Sequence, residues 1–152
     1  MRIVVAPQEF KGTLTALQAA SAMAEGARRA LPDAQVDVVP LSDGGPGLTQ
    51  ALLTAGGGRL QRSRVRDALS RDIDAWWGLL PDGTAVIEMA AAAGLSLVPP
   101  EERDPCIATT YGVGQLIAAA LDAQSRRIIV GVGGCGPRAG RGPGPLRGRH
   151  RA

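Results

Sequence analysis

The sequence predicts an α/β fold in which helices cover a layered, largely parallel sheet. Short apolar runs typical of strands alternate with longer stretches typical of helices, which is the pattern of such layered folds. The first run, residues 2–6, is almost wholly apolar, as expected of a parallel strand that is covered on both faces. Hydrophobic residues make up 45% of the 152 positions, which is sufficient for a core.

Cap and turn signals place the predicted elements along the chain. Thr15 and Gln18 have the spacing of a capping box and predict a helix that runs to about Ala30, where 31–33 end it. The other elements follow in order: a strand at 36–41, a helix at 47–55, two strands at 59–80 around a turn at 67–71, a turn at 81–84, a strand at 86–89, a helix at 112–123 and a strand at 127–132.

The excess of positive charge lies at the end of the chain. The formal net charge of +3 combines 17 basic with 14 acidic residues, and five of the basic ones lie in 135–152, which leaves 12 against 14 before that point. This tail also holds five Gly and three Pro and has no aromatic residue, so we expect it to be disordered. Nucleic acid is therefore not an expected partner, although an Arg/Gly-rich RNA-binding tail stays open as an alternative.

The cysteine content and the apolar runs exclude several classes of protein. Cys106 and Cys135 are too few for a disulfide framework, and no Cys-x-x-Cys or paired His indicates a metal centre. The N-terminal apolar run is too short for a signal peptide, and no stretch approaches the length of a membrane span. We therefore expect a cytoplasmic protein without a membrane partner.

Two loops connect predicted strands to predicted helices and carry the polar residues of interest. The first, 7–13, contains Lys11, and the second, 42–47, contains Asp43 before two glycines. At this edge of an open α/β sheet, free backbone N–H groups and the helix dipole favour anionic ligands. Phosphate chemistry is therefore the first functional hypothesis.

Five segments in unbroken order resemble the successive motifs of bacterial glycerate kinases. They are 6–16 (APQEFKGTLTA), 42–47 (SDGGPG), 85–95 (AVIEMAAAAGL) with 98–100 (VPP), 109–114 (TTYGVG) and 128–134 (IIVGVGG). The resemblance ends at Gly134, whereas members of that family continue through a further glycine-rich loop to a much greater length. We therefore expect a chain that is truncated or frame-shifted there, with 135–152 as an out-of-frame translation of GC-rich DNA.

The resemblance implies the first part of a two-domain architecture. Residues 1–70 would be the first segment of a Rossmann-like domain, 71–134 the incomplete start of a second α/β domain, and 135–152 a disordered tail. The strand at 127–132 would then lie at an exposed sheet edge, through which the chain could associate with itself.

The resemblance also implies ATP-dependent phosphorylation of glycerate, with Mg²⁺ as cofactor and with glycerate and ATP as small-molecule partners. We expect the truncated chain to be inactive by itself. Two alternatives remain open, a non-catalytic α/β module that binds an anion and the product of a damaged gene.

Two residues are the best candidates for catalysis. Asp43 would hold Mg²⁺ or accept the hydroxyl proton, and Lys11 would face an anionic group, both by resemblance to the family motifs. The alternatives are a turn-forming or capping Asp and a lysine on a solvated loop.

Further residues are candidates for binding substrate or phosphate, through backbone N–H groups, hydroxyls or carboxylates. They are Gly44, Gly45, Glu9, Glu88, Thr109, Thr110, Gly133 and Gly134. The alternative for Glu88 is a structural role as a hydrogen-bonded residue at the end of a strand. The alternative for the two threonines is a plain helix N-cap.

Overall fold

A computed structural model describes residues 1–10 and 13–134. The catalytic assignment of Lys11 and the predicted disorder of 135–152 both lie outside these residues. The remaining predictions can be compared with the structure directly.

The first three elements form a small unit, here called the N-terminal unit. Strand β1 (Arg2–Val5) pairs in parallel with β2 (Gln35–Val38), and helix α1 (Ala16–Ala30) connects them. Thr15 caps α1 in a complete capping box with Gln18, as the sequence predicts. The helix packs on one face of the strand pair around three buried residues, Val5, Ala20 and Ala24.

Four later strands form a second sheet in the order β3-β4-β5-β6. Their bounds are β3 Arg59–Arg66, β4 Asp72–Leu79, β5 Thr84–Glu88 and β6 Arg127–Gly131. The first two pairings are antiparallel and only β5 with β6 is parallel. The sheet is therefore mixed, because short turns join β3 to β4 and β4 to β5, whereas a parallel pair needs a long crossover.

Helices and turns complete this part of the molecule. Helix α2 (Leu48–Gly56) precedes β3, and α3 (Ala90–Ala93) and α4 (Tyr111–Asp122) lie between β5 and β6, with single 3₁₀ turns at Leu95–Leu97 and Pro100–Glu102. Within the described residues, no helix has the length and apolar character needed to cross a membrane.

The main core lies where α3 and α4 pack against the second sheet. It contains ten buried residues: Val65, Ala75, Trp77, Ala85, Ile87, Ala92, Ala93, Val113, Leu116 and Ala120. The four strands with α2, α3 and α4 are here called the four-stranded unit. Its larger aliphatic and aromatic side chains bury more apolar area than the alanines of the N-terminal unit, which stabilises it more strongly.

The predicted domain division falls inside this sheet. β3 and β4 pair along their whole length, from Arg59 opposite Leu79 to Arg66 opposite Asp72. A division between residues 70 and 71 passes through their turn, so the two sides share one hairpin. The assignment of 1–70 and 71–134 to two domains stays a prediction.

Candidate anion site at the strand ends

Two glycine-rich segments meet where the N-terminal unit joins the four-stranded unit. The loop 42–47 lies against 131–134, and the Gly133 N–H donates to the Gly44 carbonyl at 3.0 Å. A Cβ atom on Gly133 would lie 2.5 Å from the backbone nitrogen of Gly45. Gly44 has a φ of 94°, in the left-handed region that favours glycine. The two backbones therefore touch in a way that side chains would prevent.

The loop 42–47 is held by its own hydrogen bonds. The Gly45 N–H donates to Asp43 Oδ1 at 3.0 Å, and the Gly44 N–H donates to Ser42 Oγ at 3.2 Å. Ser42 Oγ in turn donates to the Gly45 carbonyl at 3.3 Å. The side chain of Asp43 is exposed, and within the described part of the chain its Oδ2 accepts no hydrogen bond. One oxygen thus fixes the carboxylate while the other stays available to a ligand.

A pocket of about 220 Å³ opens beside this loop. Its lining residues come from the segment after β1, from the loop with the residue before it, and from the segment after β6: Gln8, Glu9, Leu41, Ser42, Asp43, Gly45, Pro46 and Gly134. The structure therefore brings together the catalytic candidate Asp43 and three of the predicted binding residues, Glu9, Gly45 and Gly134. The contacting pair Gly44 and Gly133 lies next to them.

The described lining of this pocket is acidic. Glu9 and Asp43 supply two exposed carboxylates, and no described residue in the lining is basic. Carboxylates by themselves repel phosphate, so an anion could bind here only together with a cation. Mg²⁺ is commonly held by one or two carboxylates together with substrate phosphates and waters. Across residues 1–10 and 13–134, no group of three or more His, Cys, Asp or Glu side chains could hold a metal ion.

Glu88 lies elsewhere and has a structural contact. Its Oε1 accepts a hydrogen bond of 2.7 Å from the Thr49 N–H in the first turn of α2. The N-cap residue of that helix, Gly47, has no side chain with which to cap it. Glu88 satisfies one free N–H and places negative charge at the positive end of the helix. It lines a separate hollow of about 380 Å³ beside Trp76, so its part in binding stays a prediction.

Thr109 and Thr110 lie outside the pocket that contains Asp43. The Thr109 N–H donates to the Ala68 carbonyl at 2.9 Å, beside the turn between β3 and β4. Thr109 Oγ1 accepts from the Tyr111 N–H at 3.1 Å, whereas Thr110 is the N-cap of α4 and makes no side-chain cap bond. Their observed contacts are those of a helix start, and a contact with phosphate stays a prediction.

An ion pair between the buried Asp67 and the exposed Arg71 links the turn between β3 and β4 to the 3₁₀ turns. The sequence predicted these residues only as a turn. Asp67 is 2% exposed, and its Oδ1 accepts from the N–H groups of Leu69 and Arg71 at 2.8 Å each. Its Oδ2 accepts from Arg71 Nε at 2.6 Å, and Arg71 also binds Glu102 Oε2 at 3.0 Å and the Leu97 carbonyl at 3.1 Å. The signal for this ion pair in the sequence was an acidic residue and an arginine four positions apart in a predicted turn.

This network sets the ionisation of Asp67. Burial by itself raises the pKa of Asp67, but the hydrogen bonds from Arg71 and Leu69 and the charge of Arg71 together outweigh it and hold the pKa below its usual value. The carboxylate is thus charged at neutral pH and anchors the segment 95–102. That segment also reaches the pocket that contains Asp43, because the Leu95 N–H donates to the Gly134 carbonyl at 3.3 Å.

Comparisons with known proteins agree with the motifs at these loops. The sequence profile of the glycerate kinase family matches residues 3–142, a range that extends beyond Gly134. A glycerate kinase of Bacillus subtilis (strain 168) is 47% identical over 135 residues, which are 88% of this chain and 35% of the relative. A glycerate 2-kinase of Escherichia coli (strain K12) is 45% identical over 135 residues, with the same two coverages.

A solved structure gives the same result for the fold. The crystal structure described as glycerate kinase 2 from Salmonella typhimurium LT2 superposes with a TM-score of 0.73 at 45% identity, covering 89% of this chain and 36% of that one. This chain therefore spans about a third of the length of the proteins it matches. On the profile match and these identities, the chain belongs to the glycerate kinase family.

Proposed function

We propose that this chain supplies the N-terminal part of the active site in an enzyme that transfers the γ-phosphoryl group of ATP to a hydroxyl group of glycerate. The observation that carries the proposal is the junction of the loop 42–47 with Gly131–Gly134, which presents the Asp43 carboxylate at an open pocket. The names of the relatives support the substrate. ATP is consumed in the cytoplasm, and we place the enzyme there.

Asp43 is the proposed catalytic carboxylate. In the reaction, the hydroxyl oxygen of glycerate bonds to the γ-phosphorus, the bond from that phosphorus to the bridging oxygen of ADP breaks, and the hydroxyl proton passes to a carboxylate. Asp43 suits this role because the Gly45 N–H orients one of its oxygens while the side chain stays exposed. Proton transfer by a positioned carboxylate typically contributes about 10²–10⁴-fold to the rate.

The alternative role for the free oxygen of Asp43, in place of accepting the proton, is to hold Mg²⁺ together with Glu9. Two exposed carboxylates in one pocket fit an ion that takes one or two protein carboxylates and completes its shell with water and phosphate oxygens. The ion would supply positive charge against the phosphates during transfer. This accounts for an acidic pocket in a protein whose substrates are anions.

Backbone groups and one lysine complete the proposed site. Gly45 and Gly134 line the pocket without side chains, so phosphate oxygens can approach the chain closely there, with Gly44 and Gly133 as their support. Lys11 follows Phe10 in the same loop as Glu9, and we propose that it binds an anionic group of the substrate. The remaining two thirds of the family fold would supply the other half of the site.

A chimera tests the proposal. Residues 1–134 of this chain are joined to the part of the Bacillus subtilis relative that lies beyond its matched 135 residues, and ATP-dependent phosphorylation of glycerate is measured. We expect Asp43→Asn to lower kcat by about 10²–10⁴-fold while ATP binding, followed by thermal shift, changes little. Lys11→Ala is expected mainly to raise KM for glycerate. Asp122→Asn, at an exposed position at the end of α4, is the matched control.

Two outcomes would count against this assignment. Near-normal turnover of the Asp43→Asn chimera would reduce Asp43 to a turn residue. A chimera that binds ATP or glycerate in the thermal shift but produces no phosphoglycerate would favour the anion-binding module.

A further inference from the structure

Glu88 supplies the cap that helix α2 lacks in its own sequence. The N-cap residue, Gly47, has no side chain to accept a hydrogen bond, and the first turn of the helix contains no acidic residue. Glu88 provides the acceptor from the end of β5, 39 residues further along the chain. It binds the N–H of Thr49, the second residue of the helix, which is a group that capping side chains ordinarily bind. Because the acceptor is a carboxylate, this hydrogen bond is a strong one.

The backbone beside Glu88 contacts the same loop at a second point. In the parallel pairing of β5 with β6, Glu88 lies opposite Gly131. Gly131 is pressed against the loop 42–47, because a Cβ atom added to it would lie 2.4 Å from the Gly44 carbonyl oxygen. Asp43 immediately precedes Gly44. Glu88 is therefore connected to the loop on both sides, next to Asp43 through Gly131 and at the start of α2 through its own carboxylate.

The loop needs contacts from outside to keep one conformation. Three of its six residues are glycines, and Gly44 and Gly47 have φ angles of 94° and 93°. Glycine loses more backbone entropy on ordering than any other residue. The side-chain hydrogen bonds of Ser42 and Asp43 join only residues two or three positions apart. The contacts from the ends of β5 and β6 therefore set where the loop lies relative to the four-stranded unit.

Glu88 and Asp43 do not share a cavity. Asp43 and Pro46 line the smaller pocket, whereas Glu88 and Gly47 line the hollow beside Trp76. The end of the loop thus lies between the two carboxylates. Glu88 can influence Asp43 through the loop without reaching a ligand in the pocket of Asp43.

We propose that Glu88 is a positioning residue, which holds the loop 42–47 so that the Asp43 carboxylate faces its pocket. Glu88 acts through the first turn of α2 and through Gly131, and it does not touch the reacting atoms. The proposal rests on the catalytic role of Asp43 proposed above. A displacement of about 1 Å in a reacting group can cost about 10²-fold in rate. Loss of this hold should therefore lower kcat.

Kinetics of the chimera described above test the proposal. We expect Glu88→Ala to lower kcat by about 10-fold to 10²-fold. KM for ATP and for glycerate should change by less than about twofold, because Glu88 contacts neither substrate. Glu88→Gln keeps a side-chain oxygen for the Thr49 N–H and should bring kcat to within about threefold of the unchanged chimera. Asp74→Asn is the matched control, at an exposed carboxylate of the same hollow, and should leave kcat unchanged.

Hydrogen exchange on the full 152-residue chain gives a readout that needs no activity. Glu88→Ala should speed exchange of the Thr49 amide and of 42–47 by at least about tenfold, because local opening of this loop becomes easier. Exchange in β3 and β4 should not change. Glu88→Gln should show a smaller effect at the same amides, and Asp74→Asn should show none.

Two outcomes would overturn the proposal. Equal loss of kcat in Glu88→Gln and Glu88→Ala would show that the charge of Glu88 acts directly on a ligand or metal ion. If Glu88→Ala does not fold, loss of kcat in Glu88→Gln decides this by itself. A lower melting temperature with unchanged kcat and unchanged exchange in 42–47 would show a cap that stabilises α2 without positioning Asp43.

Failure of the proposed function would look different. In that case the chimera with Glu88 unchanged would produce no phosphoglycerate. The exchange of 42–47 in the full chain would still decide whether Glu88 holds the loop, and unchanged exchange in Glu88→Ala would refute that hold.

Discussion

The N-terminal unit and the four-stranded unit differ in how much of their stability they supply themselves. Three buried residues form the core under β1 and β2, and two of them are alanines, whereas ten residues form the core under β3 to β6. Small side chains remove little apolar area from water. The N-terminal unit therefore carries part of the candidate site on the weaker core, and its contact with Gly131–Gly134 joins it to the stronger one.

The largest expected effect is a cavity in the larger core. Leu116 of α4 is 0% exposed, and Leu116→Ala should lower the free energy of unfolding by about 2–5 kcal/mol. Val5 is the largest buried residue of the N-terminal core and is 8% exposed. Val5→Ala should lower the free energy of unfolding by less, about 1–2 kcal/mol, since fewer carbons are lost. Urea unfolding followed by circular dichroism measures both. An equal or larger loss for Val5→Ala would contradict the comparison.

Removal of the buried carboxylate of Asp67 should give the next largest effect. Asp67→Ala leaves the N–H groups of Leu69 and Arg71 without their acceptor and should lower the free energy of unfolding by about 2–3 kcal/mol at neutral pH. Asp67→Asn keeps an acceptor but loses the charge, so its loss should be smaller.

The pH dependence has a defined sign. Because the pKa of Asp67 is lower in the folded than in the unfolded state, its stabilisation is present above the unfolded value and is lost as the pH falls through the lowered folded one. As the pH is lowered, the melting temperature of the Asp67 variants should therefore fall less steeply than that of the unchanged chain. If the melting temperature of the variants fell as steeply with decreasing pH as that of the unchanged chain, Asp67 would not contribute to the pH dependence of stability.

The glycine contact between the two units should give a smaller but more localised effect. Gly133→Ala places a Cβ atom against the backbone of Gly45 and should cost about 1–3 kcal/mol of stability. Hydrogen exchange should show increased opening of 42–47 and of β1 and β2, with β4 and β5 unchanged. Gly114→Ala is the matched control, because no atom lies within 4 Å of its added Cβ. Uniform loss of protection over the whole chain would show that the contact is not a boundary between two units.

The smallest effect should strengthen the weaker unit. Gly26 lies inside α1 and an added Cβ meets nothing within 4 Å. Gly26→Ala should therefore raise the free energy of unfolding by about 0.5–1 kcal/mol, chiefly because alanine loses less backbone entropy on folding. Slower amide exchange in α1 would accompany it. A decrease in stability would show that α1 needs the space for another contact.

The sequence by itself determined the elements whose signals are local. The capping box at Thr15 and Gln18 and the strands β1 and β6 were predicted close to their observed bounds, because capping and apolar runs act over a few residues. Strand β2 was predicted too, but it ends at Val38 and not at 41. The family could also be identified, because its motifs occur in a fixed order along the chain.

Only the tertiary structure decided which of those motifs meet. It placed Glu9, Asp43, Gly45 and Gly134 in one pocket, assigned Glu88 to the N-terminus of α2, and put Thr109 beside Ala68. It also showed that Asp67 is buried and paired with Arg71 and that the larger sheet is mixed. These contacts join residues far apart in the chain or depend on burial. They arise when packing brings strand ends together, which short-range sequence patterns do not specify.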